Sequence, residues 1–125
     1  MDTIVKQNWI LELTNLYDII SNDHRFFIIS GFNSTRHSEH YIIEEKDSYY
    51  LKNSIGGLNM FFSKDTYENV IKNTLISIDW EHNVVKKLKK CNGIIACCKP
   101  SVVNHTGMYG LWSKGENDFD TSIDF

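Results

Sequence analysis

The chain has 125 residues, a length typical of one domain built around one hydrophobic core. Its composition, 42% hydrophobic and 23% charged residues, lies in the globular range and excludes a disordered chain. The formal net charge of −3 fits neither a broadly basic nucleic-acid-binding protein nor a strongly acidic DNA mimic. We therefore expect a single globular domain over residues 1–125, without direct contact to nucleic acid.

Membrane, secreted and disulfide-rich classes are also unlike this sequence. No apolar run approaches the roughly 18 residues that span a bilayer. The N-terminal segment MDTIVKQNW lacks the basic stretch and apolar core of a secretory signal. Three cysteines are an odd number, and Cys97 and Cys98 are adjacent within an apolar run, which is typical of reduced, buried thiols. These features predict a cytoplasmic protein.

The first third of the chain predicts a helix followed by a strand. Over residues 3–20, apolar side chains recur at three- to five-residue steps, as on one helical face, with Asp2 or Thr3 as the N-cap. The periodic positions are Ile4, Trp9, Leu13, Leu16 and Ile20. The segment SNDH ends this pattern, and RFFIISGF then predicts a buried strand.

A run of strands is predicted next. YIIEEK and YYLKNSI flank Asp47-Ser48 and predict a hairpin. Gly56-Gly57 predicts a second tight hairpin within SIGGLNMFFS, because glycine adopts positive φ without steric cost. The three strands are expected to form an antiparallel meander.

The second half predicts two helices and a further strand. A helical period begins after Ser63 and extends to residue 78, with Asp65 and Glu68 spaced as in a capping box. Residues 79–90 predict another helix, which Asn92-Gly93 ends. GIIACCK predicts a strand, and residues 107–113 are a weak strand candidate. The expected fold class is α+β: a mostly antiparallel sheet of about four to six strands, with two or three helices packed on one face.

Motifs for catalysis and metal binding are weak. His37 and His40 stand three residues apart, but no further ligand is spaced for zinc. Cys98 beside Lys99 lies in an apolar strand, which disfavours a reactive thiolate. His105 precedes a glycine-rich stretch without a partner acid or base fixed by sequence. We predict no metal, no cofactor and no catalytic residue, and we interpret KKLKK (residues 86–90) as a solvated helix face.

Acidic side chains next to aromatic ones occur twice, in the predicted hairpin and in the tail over residues 115–125. Carboxylates attract a basic partner over long distances, while aromatic side chains supply anchoring energy. We predict a partner-binding surface formed by Glu44, Glu45, Asp47, Tyr49, Tyr50, Trp112, Asp118, Phe119 and Asp120. The acidic tail either packs back on the sheet or stays mobile until a partner binds.

The stretch SIGGLNMFFSKDTYENVIKNTL (residues 54–75), a hairpin running into a capped helix, resembles the small immunity proteins of bacterial toxin systems, such as contact-dependent growth inhibition. Size and acidic charge add to this resemblance. It implies a stoichiometric inhibitor that covers the cleft of a basic, nuclease-type toxin. Two alternatives remain open: a small enzyme with a site built from His105, His37 or His40, and a phage-encoded inhibitor of a host complex.

Overall fold

The computed structural model describes residues 3–34, 42–55, 59–74, 76–105, 121–122 and 124–125. Helices and strands are mixed along these segments, which confirms the predicted α+β class. No helix within them is long and apolar enough to cross a membrane. The elements in chain order are β1 (Thr3–Val5), α1 (Trp9–Asp23), β2 (Phe27–Ser30), β3 (Ile42–Glu45), β4 (Tyr49–Lys52), β5 (Phe61–Phe62), α2 (Lys64–Thr66), a π-helical turn (Tyr67–Ile71), α3 (Trp80–Lys90), β6 (Ile94–Cys98) and β7 (Val103–His105).

Within the described residues, the main sheet has five strands in the order β3-β4-β6-β2-β5, and of its pairings only that of β2 with β6 is parallel. The prediction of a mostly antiparallel sheet of about four to six strands is confirmed. The predicted meander is wrong, because β4 pairs with β3 and β6, while β5 pairs with β2. The reason is the apolar run in β6, which is almost entirely buried and takes the sheet centre.

Helices cover both faces of this sheet, not one face as predicted. Alternate residues of a strand point to opposite faces, so Ile28 and Ile29 belong to different hydrophobic clusters. On the Ile29 side, α1 contributes Leu13, Leu16 and Ile20. On the Ile28 side, the π-helical turn and α3 contribute Val70, Ile71, Val84, Val85 and Leu88.

The N-terminal helix begins later than the sequence pattern predicted. Thr3–Val5 forms β1, which pairs antiparallel with β7, and α1 starts at Trp9 after Asn8. The β-branched side chains of Thr3, Ile4 and Val5 favour an extended backbone, and a distant strand supplies their partner. The predicted N-cap at residue 2 or 3 is therefore wrong, and β7 is a strand that the sequence analysis missed.

The helix after β5 is also shorter than predicted. Ser63 is its N-cap, and the Ser63 hydroxyl accepts a hydrogen bond from the Thr66 backbone N–H at 3.0 Å. Asp65 is not part of a capping box; its carboxylate instead pairs with Arg25 at 2.6 Å. The helical backbone widens into the π-helical turn and ends near Ile71 instead of residue 78.

The last helix matches its prediction. α3 ends where Asn92 adopts a positive φ of 57°. The N–H groups of Asn92 and Gly93 donate to the carbonyl oxygens of Lys89 (3.0 Å) and Leu88 (2.9 Å). These two bonds form a Schellman motif, which satisfies the last carbonyl groups of the helix. The predicted stop at Asn92-Gly93 is confirmed, and β6 follows directly.

Candidate functional site

The acidic hairpin formed by β3 and β4 lies at one margin of the main sheet. Among the described strands, β3 pairs only with β4, so its other edge has no partner strand within the described residues. Ile43 is 61% exposed in β3, and Glu44 and Glu45 next to it are exposed as well. Asp47 is exposed in the turn between the two strands. We call these four residues the acidic edge.

Two lysines neutralise part of this charge. Lys46 forms an ion pair with Glu44, and Lys99 forms one with Glu45. In both cases the hydrogen bond to the carboxylate is the main reason that the pKa of the lysine is raised. Exposed ion pairs of this kind contribute little stability, at most about 1 kcal/mol. The lysines are therefore exchangeable counter-ions rather than structural braces.

The two tyrosines of β4 differ in the surface that they leave for a partner. Tyr50 is only 9% exposed, and Lys99 Nζ lies 5.5 Å from its ring centroid. Burial, followed by the charges of Asp124 and Glu45, raises the pKa of Tyr50. Tyr49 is half-buried and packs against the α1-side cluster. The anchoring role of both residues stays a prediction, and Tyr49 has more surface for it.

The remaining predicted partner-binding residues, Trp112, Asp118, Phe119 and Asp120, lie outside the described residues, as do His37 and His40 and the weak strand candidate at 107–113. The described end of the tail is attached to the domain. Oδ1 of Asp124 accepts hydrogen bonds from the backbone N–H and the hydroxyl of Ser101, at 2.9 and 2.5 Å. The Phe125 ring centroid lies 5.1 Å from Lys6 Nζ.

The weak catalytic and metal motifs gain no support from the geometry. Burial raises the pKa of Cys97 to about 11 and that of Cys98 to about 12, so neither is a thiolate near neutral pH. His105 lies in β7, opposite Thr3. Across the part of the chain that the structure describes, no group of three or more His, Cys, Asp or Glu residues could hold a metal ion.

The sequence analysis missed a buried polar network. Lys52 is 3% exposed, and its Nζ donates a hydrogen bond to Oδ1 of Asn33, which is fully buried. The Asn33 backbone N–H donates to the hydroxyl of Ser101 at 3.2 Å, and Ser101 in turn binds Asp124. A signal for Lys52 existed, since it lies two residues after Tyr50 and therefore on the same face of β4. We call Asn33, Lys52, Ser101 and Asp124 the polar crest.

Asn33 and Ser101 follow the carboxyl ends of the parallel strands β2 and β6, a position where ligand sites form in sheets with parallel strands, and Lys52 reaches Asn33 from β4, where its backbone lies opposite Ile95. Gly31 allows the loop after β6 to pack closely against the end of β2. Its carbonyl accepts from Val102 N–H at 2.8 Å, and an added Cβ would lie 2.8 Å from a Val102 methyl group. Only glycine fits this contact without a shift of the neighbouring valine.

Comparison with protein-family models, with curated proteins and with solved structures found no match to this chain. Two features of the described residues are candidates for a functional site. The acidic edge is an exposed, charged margin of the main sheet, and the polar crest is a buried cluster of hydrogen-bonding groups.

Proposed function

We propose that this protein is a non-enzymatic, stoichiometric inhibitor: an immunity protein that neutralises a basic, nuclease-type bacterial toxin by covering its active-site cleft. The observation that carries the proposal is strand β3, which pairs on one side only among the described strands and in which the exposed Ile43 stands beside Glu44 and Glu45. An unpaired strand edge offers backbone hydrogen bonds to a partner. Carboxylates on the same edge favour a partner with basic side chains.

The ion pairs of the acidic edge support a simple exchange during binding. Basic side chains of the partner replace Lys46 on Glu44 and Lys99 on Glu45. Arginine has an advantage over these lysines, because its guanidinium group can donate two parallel hydrogen bonds to one carboxylate. Asp47 extends the negative surface into the turn. Opposite charges on the two proteins accelerate association, while burial of the Ile43 side chain against the partner slows dissociation.

The cysteines support a cytoplasmic site of action. All three are free thiols, with Cys97 and Cys98 buried and Cys91 half-exposed. Thiols of this kind persist in a reducing compartment. An immunity protein in the cytoplasm meets its toxin there before the toxin reaches its substrate.

Reversal of the acidic edge tests the proposal. The first step is capture of the partner from host lysate at low salt and at about 0.5 M salt, where surface attraction is screened. With the captured basic protein, E44K/E45K/D47K is expected to slow association at least about tenfold and to flatten its salt dependence. The matched control D18K/D23K/E68K changes the same charge at exposed positions on α1 and the π-helical turn and is expected to associate almost normally.

Equal slowing of association by both triple variants would contradict the assignment of the acidic edge as the contact surface. The slowing would then result from the change in net charge alone. Capture of a host transcription or defence complex instead of a toxin would support the related alternative, a phage-encoded inhibitor with the same surface chemistry. A purified, folded protein that retains no partner at low salt would count against an inhibitor of either kind.

A further inference from the structure

A carboxylate occupies the polar crest in this structure, and it belongs to the chain itself. Oδ1 of Asp124 accepts both hydrogen bonds from Ser101, one from the backbone N–H and one from the hydroxyl. Two donors converging on one carboxylate oxygen form a charge-assisted contact, which is stronger than a contact between neutral groups. Ser101 is fully buried, so water competes little for these donors.

The site holds further donors that Asp124 does not use. Lys52 Nζ donates to Oδ1 of Asn33, which fixes the orientation of the Asn33 amide and identifies its other atom as the Nδ2 donor. Within the described residues, this buried Nδ2 has no hydrogen-bond partner, and neither has the buried Oδ2 of Asp124. An unpaired buried polar atom destabilises the native state because it loses its hydrogen bonds to water without replacement. Asp124 therefore leaves one donor of the site, Asn33 Nδ2, and one of its own acceptors, Oδ2, without a hydrogen bond within the described residues.

We propose that Asn33, Lys52 and Ser101 of the polar crest form a carboxylate-binding site, which Asp124 fills from within the chain and for which a carboxylate of another molecule competes. Ser101 supplies two hydrogen bonds to such a ligand, and the unused Asn33 Nδ2 supplies a third. Lys52 adds a positive charge, which favours an anionic ligand over a neutral one. A free ligand is not tethered like Asp124, so it can adjust its position to use both of its oxygens.

The remaining contacts of the C-terminal segment are compatible with its release. Ser122 forms an isolated bridge with Ser34, its N–H donates to Oδ1 of Asn104 at 2.8 Å, and its hydroxyl donates to the Val103 carbonyl at 2.7 Å. The Phe125 side chain is 39% exposed, and its ring contacts Lys6 Nζ. These contacts lie at the end of the chain, and chain termini open at lower free-energy cost than core strands and helices. Release of residues 121–125 would leave the donors of the crest open to a competing carboxylate.

Rescue of Asp124→Ala by acetate tests the proposal in the full-length chain. This variant empties the site and leaves room for a small carboxylate. We expect about 0.1 M acetate to raise the Tm of Asp124→Ala by at least about 3 °C relative to chloride at equal ionic strength. The control Asp18→Ala removes an exposed carboxylate from α1, and its Tm should respond equally to the two salts. Adding Lys52→Met to Asp124→Ala should abolish the response to acetate.

Inorganic phosphate serves as the second probe. A response of Asp124→Ala to phosphate but not to acetate overturns the assignment to carboxylates. If Asp124→Ala does not fold, acetate is titrated into the wild-type chain and followed by amide NMR. A selective shift of the Ser101 amide signal, as Asp124 is displaced, supports the site. No rescue in a folded variant, or an unmoved Ser101 signal, overturns it and leaves the unpaired atoms to ordered water.

Discussion

Cys97 shows how strongly the surroundings of a single residue control its chemistry. The thiol is almost completely buried, and burial raises its pKa to about 11. Lys52 opposes this increase and Asp124 adds to it, so the thiol is close to both charges of the polar crest. The pKa of Cys98 is raised further, to about 12, again mainly by burial. Only Cys91, which is half-exposed, remains accessible to a reagent.

Thiol reactivity checks this ranking directly. At pH 8 we expect one thiol to react quickly with a thiol reagent, and Cys91→Ser to remove that fast phase. Cys97 and Cys98 should react only when the protein unfolds, because both are buried and protonated in the native state. Two or more fast thiols in the native wild-type protein would contradict the burial of Cys97 and Cys98.

The same pKa values predict how stability depends on pH. The pKa of Cys97 rises from 9.0 to about 11 on folding, so between these values the native state binds more protons than the unfolded state. The free energy of unfolding therefore holds up to about pH 9 and falls as the pH rises toward 11. The pKa difference corresponds to about 3 kcal/mol for Cys97. Denaturant unfolding between pH 8 and 11 measures this slope, which should be shallower in Cys97→Ala.

At the scale of elements, short stretches of sequence determine where helices and hairpins stop. Asn92 holds the left-handed conformation that closes α3, with hydrogen bonds back to Lys89 and Leu88. Most residues with a Cβ atom rarely adopt this backbone conformation, whereas glycine adopts it freely and asparagine tolerates it. The stop of α3 thus depends on the residue type at this one position.

A pair of substitutions tests the role of Asn92. Asn92→Ala is expected to lower the free energy of unfolding by about 1 kcal/mol, because alanine pays the steric cost of a positive φ. Asn92→Gly is expected to be at least as stable as the wild type. Urea unfolding of both variants measures the difference. Equal stability of the two variants would show that the positive φ is absent in solution.

Elements held by local hydrogen bonds could be predicted from the sequence, whereas pairings between distant strands could not. The β3–β4 hairpin, α3 and its stop could be predicted because their hydrogen bonds join residues close in sequence. The pairing of β1 with β7 and of β4 with β6 could not, since these partners lie between 43 (Lys52 to Ile95) and 102 (Thr3 to His105) residues apart. At the candidate site, the acids of the acidic edge could be predicted from the sequence, because they follow one another in the hairpin segment. The burial of Tyr50 and Lys52 depends on β6 and the loops packed beside it.

At the scale of the whole molecule, one sheet separates two hydrophobic clusters and belongs to both. β2 and β6 contribute neighbouring residues to opposite sides, such as Ile28 and Ile29. Loss of either cluster exposes one face of the same strands. We therefore expect the domain to unfold as one cooperative unit rather than layer by layer.

Substitutions in each cluster check this expectation. Leu16→Ala on α1 and Leu88→Ala on α3 remove fully buried side chains, and each should lower the free energy of unfolding by about 2–5 kcal/mol. Leu11→Ala, at an exposed position of α1, should cost less than about 1 kcal/mol. Circular dichroism and tryptophan fluorescence should give coincident transitions in all three variants. Separate transitions for the two probes would indicate that the layers unfold independently.

The position of β6 also affects the order of events during synthesis. This strand holds the centre of the main sheet, yet it begins only at residue 94. While the ribosome is producing the earlier strands, β2 and β4 have no neighbour on the side that β6 will occupy, and unpaired strand edges favour aggregation. The nascent chain therefore depends on its last third to protect its first two thirds. Stalled translation before residue 94 would release a chain that lacks the strand needed to join its two halves.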